Sequence, residues 1–346
     1  MGTATLDARR ALNAFLVVGL RAWGTWRRAS GRALRPPARP SYPKLFVVGC
    51  PRSGTTWIAS MLQAHPRVIG TVESHAYDTV LGPFLYRGLR GDAGWRVVLT
   101  RYDLLESKPW GVGLHRYLNR RGFYTLVAAA RGERLASDLE RAERLIGWIY
   151  DRYFFARGGT ATDLLVEKTP RHQFYAAHIL QRFPEARIVE VVRDGRDVCV
   201  SLAARPRAER WPPQDRQTQV ATWVDYVQHG RRLVAEPDFR DRVLQVRYEA
   251  LRADPGAGLR RMFAFAGLEC SAADATRIVA ATAIGRDSPR ETGGERRRRP
   301  RTAVGEWRTH FTPEDAALFE RMAGAMSREL GYSLTPPSAR TDDGRG

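Results

Sequence analysis

Four short apolar runs punctuate the chain between longer stretches of mixed spacing. Leu45-Phe46-Val47-Val48 stops at Gly49, and an uninterrupted apolar run ended by glycine marks a strand covered on both faces. Comparable runs stand at 163–166, 187–192 and 243–246. Between them, apolar residues recur at helical spacing over 55–64, where Trp57, Ile58, Met61 and Leu62 share a side, and over 172–183, 196–204, 216–234 and 255–266. Strands alternating with helices predict an α/β fold, a parallel β-sheet flanked by helices on both faces. Residues 80–160 interrupt that alternation. They read as mostly helical, an inserted helical lid or substrate wall, and carry Trp95, Trp110, Phe123, Tyr124, Trp148, Tyr150 and Tyr153, aromatics that either line that wall or simply fill the core. The domain is therefore expected over 44–335, between a basic extension at 1–43 and a polar, disordered tail at 336–346.

Composition narrows the class. With 43% hydrophobic and 27% charged residues among 346, the chain has enough apolar surface for a large core. No apolar run reaches 18 residues, so a membrane span is not expected. The apolar stretch 11–20 sits between Arg9, Arg10 and Arg21, and residues 9–30 read either as a helix packed on the domain or as a basic amphipathic helix in peripheral contact with an anionic membrane. Cys50, Cys199 and Cys270 stand far apart, in neither disulfide-framework nor zinc-ligand spacing, which suits the reducing cytoplasm.

The net charge is +19, yet of 56 basic residues only Lys44, Lys108 and Lys168 are lysine. Arginine is spread along the whole chain, and no basic strip interleaved with aromatics stands out. The charge favours anionic ligands in general, and nucleic acid is not the expected partner.

The most informative segment is Gly49-Cys50-Pro51-Arg52-Ser53-Gly54-Thr55-Thr56-Trp57. A strand runs into a glycine-turned loop and a helix opens at once, which aims free backbone N–H groups and the positive helix end at one spot. That is an anion cradle, P-loop-like in outline. Its Gly49-x4-Gly54 spacing matches the start of the Walker pattern, but Thr55 occupies the place of the essential lysine and the cation has moved to Arg52. A magnesium-triphosphate loop is not what this predicts. Further on, Arg193 ends the run 187–192 and Ser201 follows two helical turns later, so both can grip one phosphate by charge and hydroxyl.

At these residues the chain resembles the sulfotransferases that use 3′-phosphoadenosine 5′-phosphosulfate (PAPS). Pro51 to Trp57 is similar to their 5′-phosphosulfate loop, in the bacterial and Golgi-type form with Arg52, and Arg193 with Ser201 resembles their 3′-phosphate motif. Weaker matches are Tyr248-Glu249, as in the family's Tyr-Glu pair near the adenine; Glu167-Lys168-Thr169-Pro170; and Gly305-Glu306-Trp307, preceded by a basic run (296–299 and Arg301) that would close over the 3′-phosphate. The resemblance implies donor binding by Arg52, Ser53, Gly54, Thr55, Thr56, Trp57, Arg193, Ser201, Tyr248 and Arg301, with adenosine 3′,5′-bisphosphate as product.

Sulfuryl transfer needs the acceptor deprotonated and the leaving phosphate neutralised. Arg52, Lys168 and the loop amides suit the second task, Lys168 because a compact ammonium can approach a bridging oxygen. For the base, Glu73 lies 21 residues after Arg52, at the spacing of the Golgi tyrosine-sulfating branch; His172 and His75 are the alternatives, Pro170 having displaced the histidine of the cytosolic branch. A partly desolvated carboxylate beside an anionic donor is expected to have a raised pKa. No metal ion is expected, since no acidic strand end is set opposite Thr56. The predicted activity is sulfuryl transfer from PAPS to a hydroxyl or amine of a small-molecule, carbohydrate or lipid acceptor. The rival readings are a P-loop kinase or NTPase and a non-enzymatic polyanion-binding adaptor.

Overall fold

A computed structural model describes residues 40–71, 73–106, 118–205, 212–283 and 303–333. In chain order they form β1 (Lys44–Gly49), α1 (Thr55–Leu62), β2 (Val68–Gly70), α2 (Gly91–Glu106), α3 (Arg120–Arg131), α4 (Asp138–Phe155), β3 (Leu164–Lys168), α5 (Ala176–Arg182), β4 (Ala186–Val192), α6 (Gly195–Ala203), α7 (Arg216–Ala235), β5 (Val243–Arg247), α8 (Tyr248–Ala253), α9 (Pro255–Ala266), α10 (Ala272–Ala281) and α11 (Pro313–Glu329). The strands make one parallel five-stranded sheet in the order β2-β3-β1-β4-β5. Every residue of β1 and of β3 is buried, which requires cover on both faces. The α/β expectation holds.

Two compact units divide the chain. The first comprises the chain up to Phe46 and residues 67–186; the second comprises 47–66 and everything from Arg187 on. In the first, α3 starts on Asn119, whose side chain accepts from Gly122 N–H, and α4 starts on Ser137, which accepts from Glu140 N–H. Their apolar faces close a core in which Tyr102 stacks on Phe123 with centroids 4.2 Å apart and Tyr42 on Phe154 at 3.9 Å. In the second, Trp223 of α7 meets Phe319 of α11, and a capping box of Thr312 and Asp315 begins α11.

Two expectations need revision. The run at 163–166 continues to Lys168, because Glu167 and Lys168 are buried strand residues despite their charge. The helix expected over 172–183 is instead a 3₁₀ turn, Pro170–Tyr175, followed by α5: Pro170 has no N–H to give and starts the tighter turn. Trp95, Phe123, Tyr124, Trp148, Tyr150 and Tyr153 are all buried, the core alternative for the aromatics of 80–160. The three-residue strand β2 had no signal of its own. Residues 9–30, Trp110, 296–299, Arg301 and 336–346 lie outside the described residues.

Candidate functional site

In the second unit the loop after β1 is built by its backbone. Gly49 has φ 140°, and a Cβ there would lie 2.4 Å from the carbonyl oxygen of Val191. Gly54, left-handed at φ 95°, is the N-cap of α1, and a Cβ on it would sit 2.5 Å from the Tyr248 ring. Between them Arg52 is itself at φ 76°, a position that costs a non-glycine residue on the order of 1–3 kcal/mol. Ser53 N–H donates to Cys50 O at 3.1 Å and Ile58 N–H to Gly54 O at 3.2 Å, while the first amides of α1 have no carbonyl within the helix to reach. The Ser53 side chain is 1% exposed and its Oγ has no partner among the described residues. A buried hydroxyl left so costs about 1–3 kcal/mol unless a ligand accepts its proton. The donor set fits an anion.

Residues far apart in sequence converge on this loop. Arg52 Nε donates to Ser201 Oγ at 2.9 Å, and Arg193 Nη1 donates to Arg52 O at 3.1 Å. The Arg193 guanidinium, buried at the end of β4, lies 4.6 Å over the ring of Tyr248, whose ring in turn meets Trp57 edge-on at 6.1 Å. Arg52, Ser53, Gly54, Trp57, Arg193, Ser201 and Tyr248 are thus gathered. Thr55 is buried and Thr56 half-buried, both in the first turn of α1.

The charges around Arg193 had no role in the sequence, and the structure supplies one. Asp194 caps α6 and takes a two-pronged contact from Arg196, at 2.9 and 2.7 Å. Arg196 also lies 3.7 Å over the Trp307 ring. Asp197 accepts from Gly305 N–H at 2.8 Å and from Trp307 N–H at 3.0 Å, which ties the Gly-x-Trp segment to α6. Arg193 Nη2 reaches Ala303 O in the same segment at 3.3 Å. Glu249 accepts from Asp194 N–H and from Tyr332 OH, both at 2.9 Å. The signal for all this was the run of charges two and three residues apart, which alone reads as a solvated helix face.

In the first unit, Lys168 at the end of β3 donates to Glu73 Oε1 at 2.5 Å, and Glu73 N–H donates to Lys168 O at 2.9 Å. His75 lies between two carboxylates, its Nε2 3.8 Å from Glu73 Oε2 and its Nδ1 3.6 Å from Asp78 Oδ2; Arg171 Nε reaches Asp78 Oδ1 at 2.7 Å. Glu73 and His75 hold positive φ, 27° and 50°. Burial works to raise the Glu73 carboxyl, but His75 and Lys168 outweigh it and bring the pKa down to about 2. Burial likewise works to lower His75, but Asp78 and Glu73 lift it to about 9. The raised pKa expected for Glu73 beside a donor is not what the protein alone gives: the direction is reversed, because desolvation is outweighed by two cations that only the fold brings to it.

Of the alternative bases, His75 is a cation at neutral pH. His172 is fully buried, with Nδ1 2.9 Å from Glu167 Oε2 and Nε2 accepting from Tyr77 N–H at 3.4 Å, so both ring nitrogens are engaged within the protein. Among the described residues no helix is long and apolar enough to cross a membrane.

The model of a family described as Sulfotransferase family matches residues 43–272. Nodulation protein NoeE of Sinorhizobium fredii (strain NBRC 101917 / NGR234) is 26% identical over 321 residues, covering 85% of this chain and 67% of that protein. Among solved structures, a sulfotransferase domain from the curacin biosynthetic pathway is similar with a TM-score of 0.54 at 18% identity, over 86% of this chain and 100% of that one. Mouse sulfotransferase SULT7A1 complexed with PAP has a TM-score of 0.48 at 16% identity, over 87% of this chain and 90% of that one.

Proposed function

The chain belongs to the sulfotransferase family, and from that premise we propose that it transfers a sulfuryl group from PAPS to a hydroxyl or amine of a small-molecule, carbohydrate or lipid acceptor, by in-line displacement. The observation that carries the donor assignment is the buried, partnerless Ser53 hydroxyl inside a loop whose arginine and helix amides all favour an anion. The donor, when bound, supplies an electrophilic sulfur on a phosphate leaving group. Ser53, Gly54, Thr55 and Thr56 would hold the 5′-phosphate, Arg193 and Ser201 the 3′-phosphate, and Trp57 and Tyr248 the adenine. Arg301, outside the described residues, would be a third 3′-phosphate ligand.

Arg52 and Lys168 would neutralise the charge that grows on the leaving phosphate. Glu73 would take the acceptor's proton. Its low pKa, set by His75 first and by Lys168 after it, keeps it ionised; a donor that drew the Lys168 ammonium to its leaving group would remove one of those cationic partners and raise the carboxylate's affinity for the proton. Binding and proton transfer are thereby linked through one side chain. The three thiols are free, in keeping with a reducing cytoplasm.

Titration with adenosine 3′,5′-bisphosphate, adenosine 5′-monophosphate and ATP–Mg²⁺ tests the donor. The bisphosphate is expected to bind best. Arg193→Ala and Ser201→Ala should each weaken it roughly 10- to 100-fold, because a charge-assisted hydrogen bond contributes about 1.5–3 kcal/mol, and leave the monophosphate nearly unchanged. Preference for ATP–Mg²⁺ would sink the proposal in favour of a kinase. Equal losses for both adenosine ligands would assign Ser201 to Arg52 alone.

A further inference from the structure

Behind the Glu73–Lys168 pair lies a second carboxylate that the reaction as described does not use. Glu167 precedes Lys168 on β3, so the two side chains leave the strand on opposite sides. Lys168 meets Glu73, and Glu167 meets Ser74, the next residue of the facing segment. Glu167 is fully buried, and both its oxygens are occupied. Oε1 accepts from Ser74 Oγ at 2.7 Å, from Ser74 N–H at 3.3 Å and from Thr169 Oγ1 at 2.6 Å; Oε2 lies 2.9 Å from His172 Nδ1. Tyr150 OH lies 3.5 Å from Ser74 Oγ and completes the polar groups around it. A buried carboxylate is costly unless each oxygen is bonded, and here four donors meet it.

The grip falls on the one residue that separates two strained ones. Ser74 stands between Glu73 and His75, both at positive φ, and such backbone persists only where the surroundings over-determine it. Thr169 Oγ1 also accepts from His75 N–H at 3.4 Å, and His172 Nε2 receives Tyr77 N–H, so the same carboxylate reaches the segment 74–77 by three routes. Among the described residues the Glu73 carboxylate is held by Lys168 and His75, and Lys168 is the one expected to change partners during turnover.

We propose that Glu167 is a positioning residue for sulfuryl transfer: from behind the strand it locks the 73–75 turn, and so holds Glu73 beside Lys168 and His75 beside Glu73 when no acceptor is present. This rests on the assignment of Glu73 as base. Glu167→Gln keeps the volume but replaces one acceptor oxygen with an NH₂ facing donors, so the turn should relax.

The test uses the full chain and three readouts. Bisphosphate affinity of Glu167→Gln should stay within twofold of wild type, since its ligands are other residues. The rate of PAPS desulfation should fall 10- to 100-fold with KM for PAPS unchanged. The His75 pKa, followed by NMR of its ring carbons, should drop below about 9 as Glu73 moves away, with Asp78, the stronger of its two carboxylate partners, still holding it above the ordinary 6.5. Ser74→Ala, which removes one arm of the clamp, should show the same changes in smaller measure and answers the case in which Glu167→Gln does not fold. An unchanged His75 titration in either folded variant overturns the proposal, as does loss of rate and of bisphosphate affinity in equal proportion. The titration does not depend on which donor or acceptor the enzyme uses, so it decides the matter even where desulfation is too slow to follow.

Discussion

Glu73 shows how far a single residue's chemistry depends on its company. Alone in a half-buried turn it would hold its proton more tightly than in water; between His75 and Lys168 it gives the proton up at about pH 2. As a base it is therefore fully ionised across the physiological range. The profile of kcat/KM against pH reports groups of the free enzyme, so it should be flat from about pH 5 to 8, with no acid limb from this carboxylate above about pH 4. Glu73→Gln should lower turnover by roughly 10²–10⁴ and leave bisphosphate affinity nearly intact. A wild-type acid limb near pH 6–7 that vanished in Glu73→Gln would restore the raised carboxylate.

At the scale of an element, the strand–loop–helix from β1 to α1 depends on two glycines for different reasons. Gly49 gives β1 room to pass the Val191 carbonyl, and Gly54 lets the Tyr248 ring close on the loop. Gly54→Ala combines a left-handed backbone, costing roughly 1–2 kcal/mol, with a contact that must shift the ring. It should lower thermal stability and weaken adenosine 3′,5′-bisphosphate at least tenfold. Gly91 is a fair control, because its φ is 52° and a Cβ there would meet nothing within 4 Å. Gly91→Ala should lower Tm by a comparable or smaller amount and leave bisphosphate binding alone. Equal affinity in Gly54→Ala and wild type would mean that the Tyr248 contact does not shape the donor site.

Stability against pH is a property of the whole molecule, and the His75 cluster should be visible in it. Glu73 has its folded pKa below the usual 4.5, so its stabilisation is complete above 4.5 and is lost as pH falls towards 2. His75 has its folded pKa above the usual 6.5, so its stabilisation is complete below 6.5 and is lost as pH rises through 9. Both contribute in full only between about 4.5 and 6.5. The Tm difference between wild type and His75→Ala should be largest in that window and shrink towards pH 9. A difference that grew with pH would show that His75 is not held as a cation.

Much of this protein was legible in the chain itself. Short apolar runs marked β1, β4 and β5, most plainly β1, where an unbroken apolar stretch closed by Gly49 is buried on both faces. The loop 49–57 was recognisable because left-handed backbone and close approach restrict residue choice in sequence to glycine. That Arg193 and Ser201 could serve one phosphate was read from their spacing; the fold shows Ser201 accepting from Arg52, which spacing did not foretell. What local pattern could not contain was the sign of an electrostatic balance. Glu73 and Lys168 stand 95 residues apart, and Glu167 reads as a surface residue until β3 buries it. Periodicity records which side of an element faces the core; only the packed sheet determines which charges meet there, and over a few ångströms in a low-dielectric interior those meetings set each proton's affinity.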